Sequence, residues 1–293
     1  MRVHHPPVSR LWAAASGLLL ALALPPVDLF FLAWIGLIPL WLALEHPLKG
    51  GFGEGFTAGL VFNTGCLYWF AFNVGAAPPI VMASMIAAVL ILALGWGTAA
   101  WLFVWLKSQL GRAAWLTVPF AWAAWEGWLS NMGELAFPWP LLALTQSGFE
   151  AVLQVMEFTG VWGVSFWVVA LNTALFFVWK GRNLNERRAA FGVLAILVVI
   201  PPAALVHSYR YYREYDSTVR LLIAQGNVDP LQKWTMGADS SWAVYDSLTR
   251  AGSELGPDLV IWPETAVPVY LISQSLFAAK LTRLASDVNA AII

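Results

Sequence analysis

Between Leu11 and Leu106 the chain carries only four charged residues, Asp28, Glu45, Lys49 and Glu54. A soluble domain has about a quarter of its residues charged, whereas the share here is 11% over the whole chain. That is too little polar surface to cover a water-soluble globule, so the stretch must find an apolar solvent. A bilayer-spanning helix needs roughly 20 mainly apolar residues. Seven stretches are candidates: Leu11–Leu24, Leu29–Leu44, Phe56–Val74, Ile80–Leu106, Ala113–Leu129, Phe158–Trp179 and Ala189–Val206. The first two are short and are separated by Pro25-Pro26-Val27-Asp28, which reads as a tight turn. The first could instead be a signal peptide, because Arg2 and Arg10 precede a short apolar run. The two prolines argue against a small-residue cleavage site. Trp12, Trp34, Trp128 and Trp179 lie near the ends of apolar runs, where aromatic rings anchor at the headgroups.

Lysine and arginine orient the spans. They occur before the first span (Arg2, Arg10), after the second (Lys49), after the fourth (Lys107, Arg112) and after the sixth (Lys180, Arg182, Arg187, Arg188). The alternate connections, 25–28, 75–79 and 130–157, contain neither. The N-terminus is therefore expected on the cytoplasmic side, and seven spans carry the rest of the chain outside. A net charge of −1 argues against a nucleic-acid partner.

Gly51, Gly55 and Gly59 recur every four residues, with Gly53 between them. A phosphate-binding loop would need a following Lys-Ser/Thr and a preceding strand, and neither is there. Close helix packing through a small-residue face is the expected role. Cys66, the one cysteine, is read as a packing residue, since no base lies nearby in sequence. Asn63, Asn73, Glu126 and Asn131 are costly in lipid and are expected in the bundle interior or at an interface. The stretch 130–157 is too apolar for an aqueous loop. It is expected in the outer interface, either inert or as a wall of a lipid site.

From about residue 217 the pattern changes. Val219–Ala224 and Leu259–Trp262 read as buried strands, and Ala290–Ile293 opens a third. Ser240–Ala251, with Ser240 as a candidate cap, and Leu271–Ala285 read as helices. Alternating strands and helices imply an α/β layer. A sheet that opens a strand at its last residues is expected to continue beyond them. The expected domains are a transmembrane domain at 1–209 and an incomplete α/β domain at 217–293. Glu264 follows the carboxyl end of a strand, where such sheets place their ligands. Flanked by Pro263 and Pro268, and with burial raising its pKa, it would suit general-base work. A structural carboxylate is the alternative on position alone. The four histidines are scattered, so no metal site and no cofactor are expected.

Several stretches resemble the apolipoprotein N-acyltransferase family, membrane enzymes of the nitrilase superfamily. They are Leu24-Pro25-Pro26-Val27-Asp28-Leu29; Phe137-Pro138-Trp139 through Gln146; Gly160-Val161-Trp162-Gly163-Val164-Ser165-Phe166; Gln225-Gly226-Asn227-Val228 with Lys233-Trp234; and Ile261-Trp262-Pro263-Glu264-Thr265-Ala266-Val267-Pro268. The resemblance implies a multi-span helical domain followed by the start of a nitrilase-like αββα sandwich, in a bacterial inner membrane with the latter in the periplasm. It implies transfer of an acyl chain from a phospholipid, through a thioester, to the N-terminal diacylglyceryl-cysteine of a lipoprotein. Glu264 matches the general base and Trp234 a residue near the substrate. The family's lysine and cysteine are expected beyond residue 293. Lys280 and Cys66 do not replace them, so these 293 residues alone are expected to be inactive. A membrane-tethered amidase or nitrilase, and a transporter with an external domain, are the alternatives. The transporter reading predicts mid-membrane charges and an inverted repeat.

Overall fold

A computed structural model describes residues 6–47, 49–74, 76–212, 218–229, 235–270 and 275–293. The chain forms two compact units, Met1–Asn73 with Pro78–Arg213, and Val74–Ala77 with Glu214–Ile293.

The first unit is helical. Its helices are α1 (Pro6–Leu22), α2 (Ile38–Glu45), α3 (Phe52–Leu67), α4 (Pro78–Leu110), α5 (Val118–Ser130), the single turn α6 (Glu150–Leu153), α7 (Met156–Lys180) and α8 (Leu184–Tyr212). Among the described residues, three helical runs are long and apolar enough to cross a membrane: Pro78–Ser130, Met156–Lys180 and Leu184–Tyr211. The protein is a multi-pass membrane protein. The first of these runs contains two of the expected spans. A 3₁₀ stretch, Gly111–Thr117, separates α4 from α5. Phe103 then meets Trp115, and Trp96 meets Trp122, each with ring centroids 4.7 Å apart, so α5 runs back along α4. Val8–Leu22 and Phe30–Glu45 are apolar but shorter, and α3 has only 16 residues before the 3₁₀ stretch Tyr68–Phe72.

Small residues set the closest approach. A Cβ at Gly55 would fall 2.5 Å from the Ala100 Cβ, and one at Gly59 would fall 2.6 Å from the Trp96 Cβ. The expected glycine face therefore packs α3 on α4. Gly51 is not part of that helical face, because its φ of +83° puts it in the turn before α3. Around this seam, Trp115 joins Trp41 of α2, Phe103 of α4 and Phe176 of α7 in one aromatic core. Lys107 donates to the carbonyls of Leu44 and Glu45 and so caps the end of α2. In α8, Pro201 has no N–H for the carbonyl of Leu197. The indole of Trp167 donates to that carbonyl at 2.8 Å instead, tying α8 to α7.

The second unit holds three parallel strands in the order β1 (Leu221–Ile223), β2 (Leu259–Ile261) and β3 (Ala291–Ile292). Leu222 pairs with Val260, and Val260 with Ile292. Helix α9 (Gly237–Ser253) joins β1 to β2, and α10 (Ser275–Val288) joins β2 to β3. Right-handed crossovers put both helices on one face. They touch through Trp242 with Phe277 and through Arg250 with Asp287. The start of α9 lies three residues before the expected one, so Ser240 is inside the helix and does not cap it. Leu222 faces Gly252 of α9, while Leu221 and Ile223 are exposed on the opposite face.

We expect Gly59→Leu to overpack the α3–α4 seam, where Trp96 cannot retreat from the added side chain. Overpacking of this kind costs about 1–3 kcal/mol. A clear drop in melting temperature of the detergent-purified protein should follow. An unchanged melting curve would contradict this packing.

Candidate active site

The carboxyl ends of β1 and β2 lie side by side. The ladder runs on past the strands, with Ala224 N–H donating to Ile261 at 3.0 Å and Trp262 N–H donating to Ile293 at 2.8 Å. Beyond β2, the Ala266 N–H donates to the Pro263 carbonyl at 3.1 Å and closes a turn. Glu264 and Thr265 form the tip of that turn. Thr265 has φ +55°, and Asn227, beyond β1, has φ +47°. The left-handed region is unfavourable for a β-branched residue, and such strain gathers at functional sites.

Aromatic side chains brace the two strand ends from the α9 side. The Trp262 ring packs between Trp242 and Tyr245, at 5.5 and 5.4 Å, and its indole donates to Thr249 Oγ1 at 2.9 Å. Buried Tyr245 also lies against Gly226, where a Cβ would meet the ring at 2.9 Å. One tyrosine thus wedges both loops, and Gly226 is required for its approach. Gln225 donates to Asn227 Oδ1 at 2.8 Å within the first loop.

Glu264 is exposed, against the expectation of burial. The reason is its place at the tip of the turn, between Trp262 and Ala266, which pack with Tyr245 while the tip itself is left uncovered. Trp234 and Lys233 lie outside the described residues. Lys280 sits on α10 and donates to Asp239 at 2.9 Å. Cys66 is in the helical unit, with its Sγ 3.8 Å from the carbonyl of Trp139. What remains at the strand ends is an exposed carboxylate on a rigid turn. It can accept a proton from a group brought to it.

In the helical unit, Glu126 is buried as the sequence suggested, but sequence reasoning missed its partners and the other members of a set of buried polar clamps. Part of the stretch 130–157 folds inward. Leu141, Leu142, Ala143, Thr145 and Gln146 are buried in the bundle. Backbone N–H groups there need acceptors. Glu126 Oε1 accepts from Leu142 N–H at 2.8 Å and from the Trp122 indole at 2.9 Å. Ser165 Oγ accepts from Ala143 N–H at 2.9 Å. Gln146 accepts from the Trp34 indole and donates to the Phe30 carbonyl. Trp34 is therefore an inward partner and not an interfacial anchor. It also meets Phe149 and Trp167.

A second clamp serves the break before α2. Asn172 accepts from Leu37 N–H at 2.9 Å and donates to the Ala33 carbonyl at 2.7 Å. Ser16 donates to the Gly36 carbonyl at 2.6 Å. The signal for these residues was polar side chains inside apolar runs. Of the four such residues singled out, Asn63 and Glu126 are buried, whereas Asn73 and Asn131 are exposed at helix ends. Gly160 breaks the start of α7 with φ +66°, a conformation that favours glycine.

The fold and these clamps define a multi-pass membrane protein joined to a parallel α/β unit. A family model described as "Apolipoprotein N-acyltransferase N-terminal domain" matches residues 16–174, which run from α1 into α7. The chain belongs to the apolipoprotein N-acyltransferase family. It is 30% identical to the Chlorobaculum tepidum protein named apolipoprotein N-acyltransferase, over 87% of this chain and 49% of the relative. The Geobacter metallireducens protein of the same name is 31% identical, over 95% of this chain and 55% of the relative. The Azotobacter vinelandii one is 31% identical, over 97% and 56%. The chain spans about half the length of the curated relatives it matches.

Removing the Glu126 carboxyl leaves a buried N–H at Leu142 without an acceptor, a loss of about 1–3 kcal/mol. We expect Glu126→Ala to speed amide hydrogen exchange at Leu142 and Ala143 before any change at α8. Unchanged exchange at those two amides would show that the carboxylate does not hold the stretch.

Proposed function

We propose that the complete protein is an N-acyltransferase that matures lipoproteins. It takes an acyl chain from a phospholipid, holds it as a thioester, and passes it to the α-amino group of a diacylated N-terminal cysteine. Glu264 is the general base that deprotonates the nucleophilic thiol. That thiol, and a lysine to stabilise the oxyanion, would come from residues beyond 293. Trp234 would contact substrate. The domains would be 1–209, embedded in a bacterial inner membrane with a cytoplasmic N-terminus, and 217–293, opening a periplasmic nitrilase-like αββα sandwich.

The observation that carries this reading is the place of Glu264 in a chain of this family. It leaves the carboxyl end of the central strand of a parallel sheet, on a turn stiffened by Pro263 and braced through Trp262. Parallel sheets bind ligands at that end. The absence of Lys and Arg from the connections 25–28, 75–79 and 130–157 supports the orientation. The physical logic favours a membrane site, because each CH₂ adds about 0.8 kcal/mol to retention of an acyl chain in lipid. A site at the membrane surface spares both substrates that cost.

An exposed side chain can be changed with little effect on folding, within about 0.5 kcal/mol. Glu264→Gln in the complete protein should therefore keep the parent melting temperature. It should lower N-acylation of a diacylated lipopeptide by about 10²–10⁴-fold, the usual contribution of a positioned base. Turnover at the parent rate would refute the assignment.

A further inference from the structure

An open groove of about 280 Å³ runs between α2, α4 and α5, with almost wholly apolar walls. Leu40 and Leu44 form its α2 side, Trp96 and Phe103 its α4 side, and Val118 and Trp122 its α5 side. Trp96 to Phe103 is seven residues of helix, so the slot is roughly 10 Å or more in length. A cavity of about 150 Å³ admits a benzene ring. By that scale the groove holds roughly a dozen carbons, which suits a linear chain better than a globular ligand. The surrounding solvent is the apolar interior of a bilayer, and the commonest linear apolar group there is an acyl chain.

One end of the groove has a charge of its own. Leu44 and Leu106 line it there, next to Lys107, whose ammonium sits 3.0 Å from the Leu44 carbonyl. Two of the three Lys107 donors go to the carbonyls of Leu44 and Glu45, which leaves the third. Arg112 and Arg182, in the adjoining connections, and Glu45 are near enough to act on the Lys107 charge, and Arg112 is paired with Glu186 at 3.1 Å. The excess of positive charge at that end complements a phosphate.

We infer that this groove is a binding site for one acyl chain of a phospholipid, with the phosphate at the Lys107 end. The lipid belongs to the leaflet facing the Lys- and Arg-bearing connections. The proposed acyl transfer faces the other side, so this lipid is a bound component and not the acyl donor. It fills the gap where α4 and α5 diverge from α2 and keeps the aromatic core around Trp115 closed to that leaflet.

The test uses the complete protein in phosphatidylcholine vesicles containing a small fraction of phosphatidylglycerol with a diazirine on one acyl chain. After irradiation, adducts should concentrate on peptides covering Thr98–Leu106 and Thr117–Trp125. The segment Ile80–Leu94 of the same helix, where Ile91 is 67% exposed, is the control for ordinary lipid contact. Ala121→Trp fills the groove from its lipid side. It should bring labelling of the two groove segments down to the control level without changing the melting curve. Diacylglycerol with the same chains should label the groove about fivefold less, the effect of roughly one kcal/mol per basic residue. Even labelling of groove and control, or labelling that survives Ala121→Trp, would overturn the site. Equal labelling by diacylglycerol would overturn the placing of the phosphate.

Discussion

Everything in the helical unit depends on the refusal of a bilayer to solvate backbone N–H and C=O groups. Unbroken helices meet that condition alone. This chain does not use unbroken helices throughout. It interrupts the backbone at Ile35–Leu37, at Leu141–Gln146, at Gly160 and at Pro201. At three of these places a side chain from another element takes over. Asn172 serves the first, Glu126 and Ser165 the second, and Trp167 the fourth. All these partners lie on α5 or α7, so two helices clamp the irregular backbone of three other segments.

These clamps explain why the unit can hold a buried non-helical stretch beside its spans. A regular bundle of apolar helices presents only ridges and grooves. A stretch such as Leu141–Gln146, folded inward and pinned, gives the bundle a shaped wall. The α/β unit works on a different principle. Its strand ends are held by aromatic packing, with Tyr245 touching Gly226 and Trp262 at once. The turn at Pro263–Ala266 is thereby rigid while its carboxylate reaches outward.

Much of this was legible in the sequence, for physical reasons that differ by element. The runs around α4, α7 and α8 could be read because length and apolarity alone determine a span. The three strands could be read because short β-branched runs bounded by Gly and Pro have few other uses. Gly55 and Gly59 were legible by spacing. What could not be read was pairing across distance. Nothing local tells that Trp34 meets Gln146, 112 residues away, or that the apolar stretch after Pro140 turns inward. Burial of Glu264 was inferred from the strand before it and failed, because exposure is decided by what covers a turn. Trp234 lies outside the described residues, so its role rests on resemblance alone.

The central claim is that the helical unit delivers Glu264 to the side of the membrane opposite the Lys- and Arg-bearing connections. The most direct measurement is side-specific labelling of Glu264→Cys in the complete protein, with the parent protein as the baseline. A membrane-impermeant maleimide applied to spheroplasts should label the variant above the parent without permeabilisation. Labelling that arises only after the inner membrane is opened would contradict the account.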